Sequence, residues 1–147
     1  MARYVETIPT SWSPAATFEY MARVEHFQEW DPGVVSSKQV AGDGPGPGSE
    51  YDVEVKAVRG SMTLRYRVLT YDAPNRLVIE AASRMLVSRD TVVVTPTETG
   101  SAMTYEATLN LRGPLGVADV ALRPFFNRIA SRAGAGLRNV LASEERT

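Results

Sequence analysis

The chain has 147 residues, of which 44% are apolar, and its formal net charge is −1 at pH 7. This length is typical of one domain with its own core, so we interpret residues 1–147 as a single domain. The small net charge gives no general attraction for nucleic acid, and no nucleic-acid partner is expected. The sequence contains no cysteine, which excludes disulfides, thiolate nucleophiles and cysteine-based metal sites.

The hydropathy pattern favours a cytoplasmic protein. The first residues, Met1 to Glu6, lack the apolar stretch of a secretory signal. No segment approaches the ~20 apolar residues that a membrane-spanning helix requires. We therefore expect a cytoplasmic location and no transmembrane segment, and the sequence leaves a monomer and a homodimer both open.

The N-terminal part of the chain predicts one strand followed by two short helices. Arg3 to Ile8 alternates weakly, and Pro9 is expected to end that strand. Ser13-Pro14 is a favourable helix start, because the serine accepts a hydrogen bond from a free N–H and proline suits the first helical position. A second short helical turn is predicted over Val24 to Gln28, and Asp31-Pro32-Gly33 ends it.

Alternating apolar and polar residues then predict a series of strands separated by short turns. With the N-terminal strand they make about seven, and such short turns favour an antiparallel sheet. The strand that begins at Leu86 is expected to stop before Pro96, and its face is ambiguous because Thr91 to Val94 offers apolar groups on both sides. The predicted strands cover 34–40, 51–57, 62–68, 77–81, 86–95 and 103–111.

The last segment predicts one long amphipathic helix that covers the apolar face of the sheet. Its apolar residues recur at steps of three and four and so share one side. Pro124 is expected either to kink this helix or to separate a first turn from its main body. Gly134 and Gly136 should each weaken the helix by ~1 kcal/mol relative to alanine. The apolar stripe is Leu122, Phe126, Ile129, Ala133, Leu137 and Val140.

Several motifs in this order resemble the START/Bet v 1-like (SRPBCC) helix-grip superfamily, and within it the polyketide cyclase/dehydrase-like group. Residues 13–22 and 30–34 are similar to the family's first helix and its entry into the second strand. Residues 74–78 resemble the hairpin before the fifth strand. Residues 112–116 and 122–126 resemble the start of the C-terminal helix. The resemblance covers essentially the whole chain.

This resemblance implies an α+β fold, in which a seven-stranded curved antiparallel sheet grips a long C-terminal helix and two short helices lie near the N-terminus. It also implies a cavity between sheet and helix. We expect no cofactor for this chain. Family members bind lipids, polyketides, sterols, plant hormones or aromatic compounds, and some catalyse cyclisation or dehydration. The partner expected for this chain is a small lipophilic or aromatic ligand.

Apolar and aromatic residues of the predicted inner faces are the candidates for ligand contact. A buried tyrosine hydroxyl needs a polar partner, so several tyrosines on one face would give a cavity fixed polar points, although core packing is an equal alternative for each. Trp30 fits a structural plug between the small helices and the sheet at least as well as a ligand contact. The predicted ligand-binding residues are Trp30, Tyr51, Val53, Leu64, Tyr66, Val68, Ile79, Tyr105, Phe126 and Ile129.

The sequence offers few groups for catalysis. His26 is the only histidine, and its place in a short polar turn favours an exposed or edge-packed side chain over a general base. A metal site is not expected, because the residues lack any zinc-ligand spacing. Of Arg89 and Asp90, one must face inward unless the strand bulges. Tyr66, Arg89 and Asp90 are therefore the candidate catalytic residues.

The charged residues that alternate with the apolar strand positions are expected on the solvent face, in cross-strand ion pairs. The alternative is a flipped register that turns Glu80 or Glu106 into the cavity as an acid or base, for which one bulge would suffice. The residues concerned are Glu54, Arg65, Arg67, Glu80 and Glu106.

Three functions stay open at this point. The leading hypothesis is a module that binds a small lipophilic or aromatic molecule in its cavity. The second is a metal-free enzyme of the cyclase, aromatase or dehydratase type. The third is a toxin-like or stress-related interaction protein, supported only by arginines on the outer side of the last helix.

Overall fold

A computed structural model describes residues 1–57, 59–113 and 119–145 of the chain. Strands and helices follow one another in the predicted order, and a 3₁₀ turn at Val24–His26 stands between the first two helices. The predicted helix-opening motif at residues 112–116 lies largely outside the described residues. The strands are β1 (Ala2–Thr10), β2 (Val34–Ala41), β3 (Glu50–Lys56), β4 (Ser61–Asp72), β5 (Arg76–Ala82), β6 (Leu86–Thr97) and β7 (Gly100–Leu111). The helices are α1 (Pro14–Ala22), α2 (Phe27–Trp30) and α3 (Asp119–Leu141).

Within the described residues, seven strands form one antiparallel sheet in the order β1-β7-β6-β5-β4-β3-β2. Two predicted strand ends were wrong. Pro9 lies inside β1 opposite Ala102. An edge strand such as β1 tolerates proline, because the missing N–H can be on the side that has no neighbouring strand. Pro96 lies inside β6 opposite Ser101, next to the β6–β7 turn, where few ladder bonds remain to be lost.

Helix α1 begins where its sequence predicts, and the single helical turn predicted over Val24 to Gln28 is in fact a 3₁₀ turn followed by α2, which continues to Trp30. The Ser13 hydroxyl accepts a hydrogen bond from the Ala16 N–H at 3.2 Å, and Pro14 occupies the first turn of α1. The 3₁₀ turn and α2 then bring Trp30 into the core, where it is 2% exposed. The Asp31 N–H closes α2 on the Phe27 carbonyl before the chain extends into β2.

Helix α3 lies against β1, β7 and α2, and its predicted apolar stripe faces the sheet. Pro124 is inside the helix, so the turn around it lacks the hydrogen bond that this N–H would have donated. Gly134 and Gly136 mark close approaches of the helix. A Cβ at Gly134 would collide with the Tyr4 hydroxyl, and one at Gly136 would collide with the Trp30 carbonyl oxygen.

The inner face of the sheet is divided into a filled part and a hollow part. Beneath α1 and α2 the core is closely packed, with large side chains that are almost fully buried and aromatic pairs such as Trp12–Tyr20. Beneath α3 the strands and the helix enclose a cavity. The boundary runs through Tyr105, which is buried with the core and also borders the cavity, whereas its β6 partner Val92 lies wholly in the core.

The outer face carries the charged residues, as predicted. Arg65 pairs with Asp52 at 2.7 Å, and Arg89 pairs with Glu80 at 2.5 Å. Arg3 also pairs with Glu106 across β1 and β7. These exposed pairs each contribute ~0–1 kcal/mol to stability. Glu80 and Glu106 therefore lie on the outer face and not in the cavity.

Candidate functional site

The cavity beneath α3 has a volume of about 560 Å³. One end lies at the β3–β4 turn, where the lining residues Lys56 and Arg59 are exposed to solvent. The other end lies where the solid core begins, at the buried residues Tyr66, Asp90 and Tyr105. We call these the mouth and the inner end of the cavity. A volume of this size is typical of sites for small organic molecules.

Most of the lining is apolar and comes from alternate residues of β4, β6 and β7 and from one side of α3. Along β7, for example, Tyr105, Ala107, Leu109 and Leu111 all border the cavity, since residues two apart share a face. The predicted ligand-binding residues that line the cavity are Leu64, Tyr66, Tyr105, Phe126 and Ile129.

The other predicted contact residues lie in the core next to the cavity. Trp30 packs edge-on against Tyr105, with ring centroids 5.4 Å apart, and so stands behind the inner end as a plug. Its indole Nε1 is buried and has no partner among the described groups. Tyr51, Val53 and Ile79 are almost fully buried in the core, and Val68 packs against them from a partly buried position.

Asp90 is the central polar group of the inner end. It is 7% exposed, and its Oδ2 accepts a hydrogen bond from the Tyr105 hydroxyl at 2.7 Å. Burial raises the pKa of Asp90 to about 7, the Tyr105 hydrogen bond lowers it, and the charge of Asp31 raises it. This carboxyl group can therefore hold or release a proton near neutral pH.

Tyr66 and Ser88 add a second pair of polar groups next to Asp90. The two hydroxyl oxygens lie 2.6 Å apart, within hydrogen-bond distance. Burial raises the pKa of Tyr66 well above its ordinary value, and the charge of Asp90 adds to that shift. Tyr105 shows the same shift, with burial again as the largest cause. Both phenols are therefore protonated at neutral pH and act as hydrogen-bond donors or acceptors.

Asp31 enters the cavity from the connection between α2 and β2. Its Oδ1 accepts a hydrogen bond from the Gly33 N–H at 2.8 Å. Burial raises its pKa to about 6, against the lowering effects of the Gly33 hydrogen bond and of the Lys56 charge. Gly33 permits this arrangement, because a Cβ there would stand 2.8 Å from Ile129 Cγ2 on α3.

Arg89, the third catalytic candidate, lies away from the cavity, and so does His26. Arg89 extends from the outer face of β6, where it is paired with Glu80, while its neighbour Asp90 faces inward. This placement resolves the ambiguous face of β6. His26 stacks on Tyr20 with ring centroids 4.3 Å apart, and its Nδ1 lies 2.9 Å from the Tyr20 carbonyl oxygen.

Sequence reasoning missed several lining residues. The alternation of β7 was visible, so Ala107, Leu109 and Leu111 could have been included from their pattern alone. No sequence pattern marks Asp31 as a lining residue, because Asp-Pro-Gly is typical of a turn and predicts only the end of a helix. Its role as a lining group follows from how α2 and α3 pack, which local spacing does not show.

Two features are absent from the described residues. Among residues 1–57, 59–113 and 119–145, no group of three or more His, Cys, Asp or Glu side chains is placed to hold a metal ion. None of the described helices combines the length and the hydropathy required to cross a membrane.

A seven-stranded sheet wrapped on a long C-terminal helix, with a cavity between them, defines a helix-grip protein of the START/Bet v 1 type. The family described as "Polyketide cyclase / dehydrase and lipid transport" matches residues 1–142. The chain belongs to this family. Among curated proteins, no significant match was found.

Solved structures share the fold at low sequence identity. A START superfamily protein from Mycobacterium smegmatis aligns with a TM-score of 0.76 and 10% identity, over 96% of this chain and 97% of that one. The di-domain ARO/CYC protein StfQ of the steffimycin biosynthetic pathway aligns with a TM-score of 0.71 and 14% identity, over 96% of this chain and 50% of StfQ. Major latex-like protein 151 from Panax ginseng gives a TM-score of 0.66 at 8% identity, over 97% and 98%.

Proposed function

We propose that this protein binds a small lipophilic or aromatic molecule in the cavity between the sheet and α3. The observation that carries the proposal is a cavity of about 560 Å³ whose lining is mostly apolar and whose few buried polar groups meet at one end. Such a site gains affinity from apolar burial and orients its ligand through a small number of hydrogen bonds.

A fluorescent apolar probe tests this proposal. N-phenyl-1-naphthylamine is uncharged at neutral pH, and its emission rises when it leaves water for an apolar site. We expect a saturable increase with one probe per chain. Native mass spectrometry of the purified protein should also detect a co-purified or added lipophile. A probe response that does not saturate, together with no bound lipophile from a broad panel, would contradict the proposal.

Two substitutions on one strand localise the binding. Ala107 lines the cavity, and a phenylalanine there would occupy part of its volume. Thr108 is the next residue of β7 and lies opposite Arg3 and Arg89 on the outer face. We expect Ala107→Phe to weaken probe binding by about tenfold or more. The matched Thr108→Phe variant should bind like the unmodified protein.

A second candidate function is a metal-free enzyme of the cyclase, aromatase or dehydratase type. The observation in its favour is Asp90, a buried carboxyl group with a pKa of about 7 that is hydrogen-bonded to Tyr105 in the cavity wall. A group that titrates near the working pH is suited to general acid or base catalysis. If a turnover is found, Asp90→Asn and Tyr66→Phe should each reduce kcat. Unchanged kcat in both variants would remove this candidate.

The location and assembly of the protein remain predictions from the sequence. We expect it in the cytoplasm, as a monomer or a homodimer. Light scattering coupled to size-exclusion chromatography would decide between the two assemblies. An independent measurement of where the tagged protein resides in its cell would test the location.

A further inference from the structure

The polar groups of the cavity are distributed unevenly between its two ends. The basic lining residues, Lys56 and Arg59, are exposed to solvent at the mouth. Of the acidic lining residues, Asp90 is buried at the inner end, where it accepts a hydrogen bond from Tyr105. Asp31 is half-buried nearer the mouth, where it accepts a hydrogen bond from the Gly33 N–H, and the Gly33 carbonyl accepts one from the Lys56 N–H at 2.8 Å. Among the described lining residues, the inner end therefore offers the carboxyl group of Asp90 and no basic side chain, while both basic residues lie at the mouth, where water screens their charge.

The charge of Asp31 reaches the groups at the inner end of the cavity. The negative charge of Asp31 makes ionisation of Asp90 harder, and it also raises the pKa of the phenols of Tyr66 and Tyr105. Lys56 offsets the charge of Asp31 in part. Asp90 receives a neutral hydroxyl donor from Tyr105. A buried carboxylate with only neutral donors is costly, and a cation placed beside it lowers that cost.

The tyrosine rings favour the same kind of guest. Tyr66 and Tyr105 both line the inner end, and aromatic rings attract an ammonium group that lies over their faces. An anionic guest would be repelled by both carboxylates in a medium of low polarity. A neutral guest would gain a hydrogen bond but would leave the negative charge uncompensated.

We propose that the cavity selects lipophilic molecules that carry a protonated amine, with the ammonium group held at the inner end by the carboxylate of Asp90 and the apolar body packed between β7 and α3. The negative charge of Asp31 adds to the attraction. This inference rests on the proposed binding function and adds the chemical class of the ligand. The N–H groups of the ammonium donate hydrogen bonds to the carboxylate oxygens of Asp90. The rings of Tyr66 and Tyr105 lie beside the ammonium group.

Three probes with one apolar body and different head groups test the inference. They are 2-(1-naphthyl)ethylamine, 2-(1-naphthyl)ethanol and the carboxylate of 1-naphthaleneacetic acid. Their affinities are measured by isothermal titration calorimetry at pH 8. The amine is a cation at this pH, as aliphatic amines in general are. We expect it to bind about tenfold to a hundredfold more tightly than the alcohol, the range of a charge-assisted hydrogen bond, and the carboxylate to bind most weakly.

Proton release provides a second readout. Binding of the cation favours the ionised form of both carboxyl groups, so at pH 6.5 the amine should expel protons from the protein. Titrations in buffers of different ionisation enthalpy measure that release, and the alcohol should show almost none. The affinity for the amine should increase as pH rises from 5 to 8, through the pKa values of about 6 and about 7.

Substitutions assign the effect to residues. Asp90→Asn should reduce amine affinity about tenfold or more, and Asp31→Asn should reduce it by a smaller factor, while both change alcohol affinity little. Asp52→Asn is the matched control, because Asp52 lies on the outer face in a pair with Arg65. This variant should bind all three probes like the unmodified protein.

The outcomes separate this inference from the proposed function. If all three probes bind with equal affinity, or if the carboxylate binds best, the amine preference is overturned and cavity binding stands. The amine preference is also overturned, and cavity binding stands, if Asp90→Asn and Asp31→Asn bind the amine like the unmodified protein. If no probe binds and the N-phenyl-1-naphthylamine response is also absent, both proposals fail.

Discussion

Asp90 connects the chemistry of the cavity to the stability of the fold. An unfolded chain would leave this carboxyl group near its ordinary pKa of ~3.9, whereas burial raises it to about 7 in the folded protein. Between these values the folded state holds a proton that the unfolded state has lost. Stability is therefore fully present at low pH and falls as pH rises toward 7. Asp31, with a pKa of about 6, contributes with the same sign.

Replacing Asp90 with asparagine should remove much of this pH dependence. Asparagine keeps an oxygen that can accept from Tyr105 and carries no charge. At pH 4 we expect the two proteins to unfold at similar urea concentrations. At pH 8 Asp90→Asn should be more stable by a few kcal/mol, since one pKa unit corresponds to ~1.4 kcal/mol. Urea unfolding at several pH values measures the difference.

The same substitution at Asp52 gives a control of opposite sign. Arg65 holds the pKa of Asp52 below its ordinary value, so its stabilising effect is present at neutral pH and is lost as the solution becomes acidic. Asp52→Asn should therefore never be more stable than the unmodified protein. If Asp90→Asn, like Asp52→Asn, were never more stable than the unmodified protein, Asp90 would not be a buried carboxyl group with a raised pKa.

For single residues, the sequence predicted some of the side chains that line the cavity, but it did not predict how other elements pack around them. Alternation placed Tyr66 and Tyr105 on the inner face, and both line the cavity. It could not choose between Arg89 and Asp90, because neighbouring valines make both sides of β6 apolar. The local sequence pattern could not predict that Asp31 lines the cavity, because its position depends on Gly33, which allows Ile129 of α3 to come close.

Helix α3 is held in place by two glycines that helix propensity alone disfavours. Gly136 lies directly against the Trp30 carbonyl oxygen at the end of α2, and Gly134 lies against Tyr4 on β1. These contacts fix the C-terminal half of α3 relative to the plug residue Trp30 and the edge strand. The height of the helix above the sheet, and with it the cavity, depends on them.

Gly136→Ala should therefore reverse the usual effect of this substitution. In an exposed helix, alanine in place of glycine stabilises by ~1 kcal/mol. Here the added Cβ must displace a backbone carbonyl, and overpacking of this kind costs ~1–3 kcal/mol. We expect a lower unfolding midpoint in urea for Gly136→Ala.

An exposed site on the same helix provides the comparison. Ser131 is on the solvent side of α3, so Ser131→Ala should leave the midpoint unchanged or raise it slightly. A midpoint for Gly136→Ala that rises as much as or more than that of Ser131→Ala would show that α3 does not approach α2 closely.

The elements themselves were largely predictable, for reasons that differ between them. The two-residue alternation of Met62 to Val68 and the three- and four-residue steps of α3 follow directly from strand and helix geometry. The strand ends at Pro9 and Pro96 were wrong, because the cost of proline depends on whether its strand is an edge and how near the turn lies. Those facts belong to the whole sheet.

The whole molecule combines a solid half and a hollow half on one sheet. Beneath α1 and α2 the side chains fill the space, with residues such as Met21, Leu77 and Met103 fully buried. Beneath α3 the same sheet borders a cavity, because the helix spans the gap and small residues such as Ala107, Ala130 and Gly134 line it. Stability can come from the first half while the second stays open for a ligand.

The most direct test of cavity binding is a methyl NMR titration with N-phenyl-1-naphthylamine on protein labelled at Ile, Leu and Val methyl groups. The account predicts saturable shifts and intermolecular NOEs at Leu64, Leu109 and Ile129, which line the cavity. The exposed methyl groups of Val35 and Leu69 should not respond. Shifts confined to those exposed groups, or no saturable shift at the lining residues, would contradict the central claim that this fold holds its ligand beneath α3.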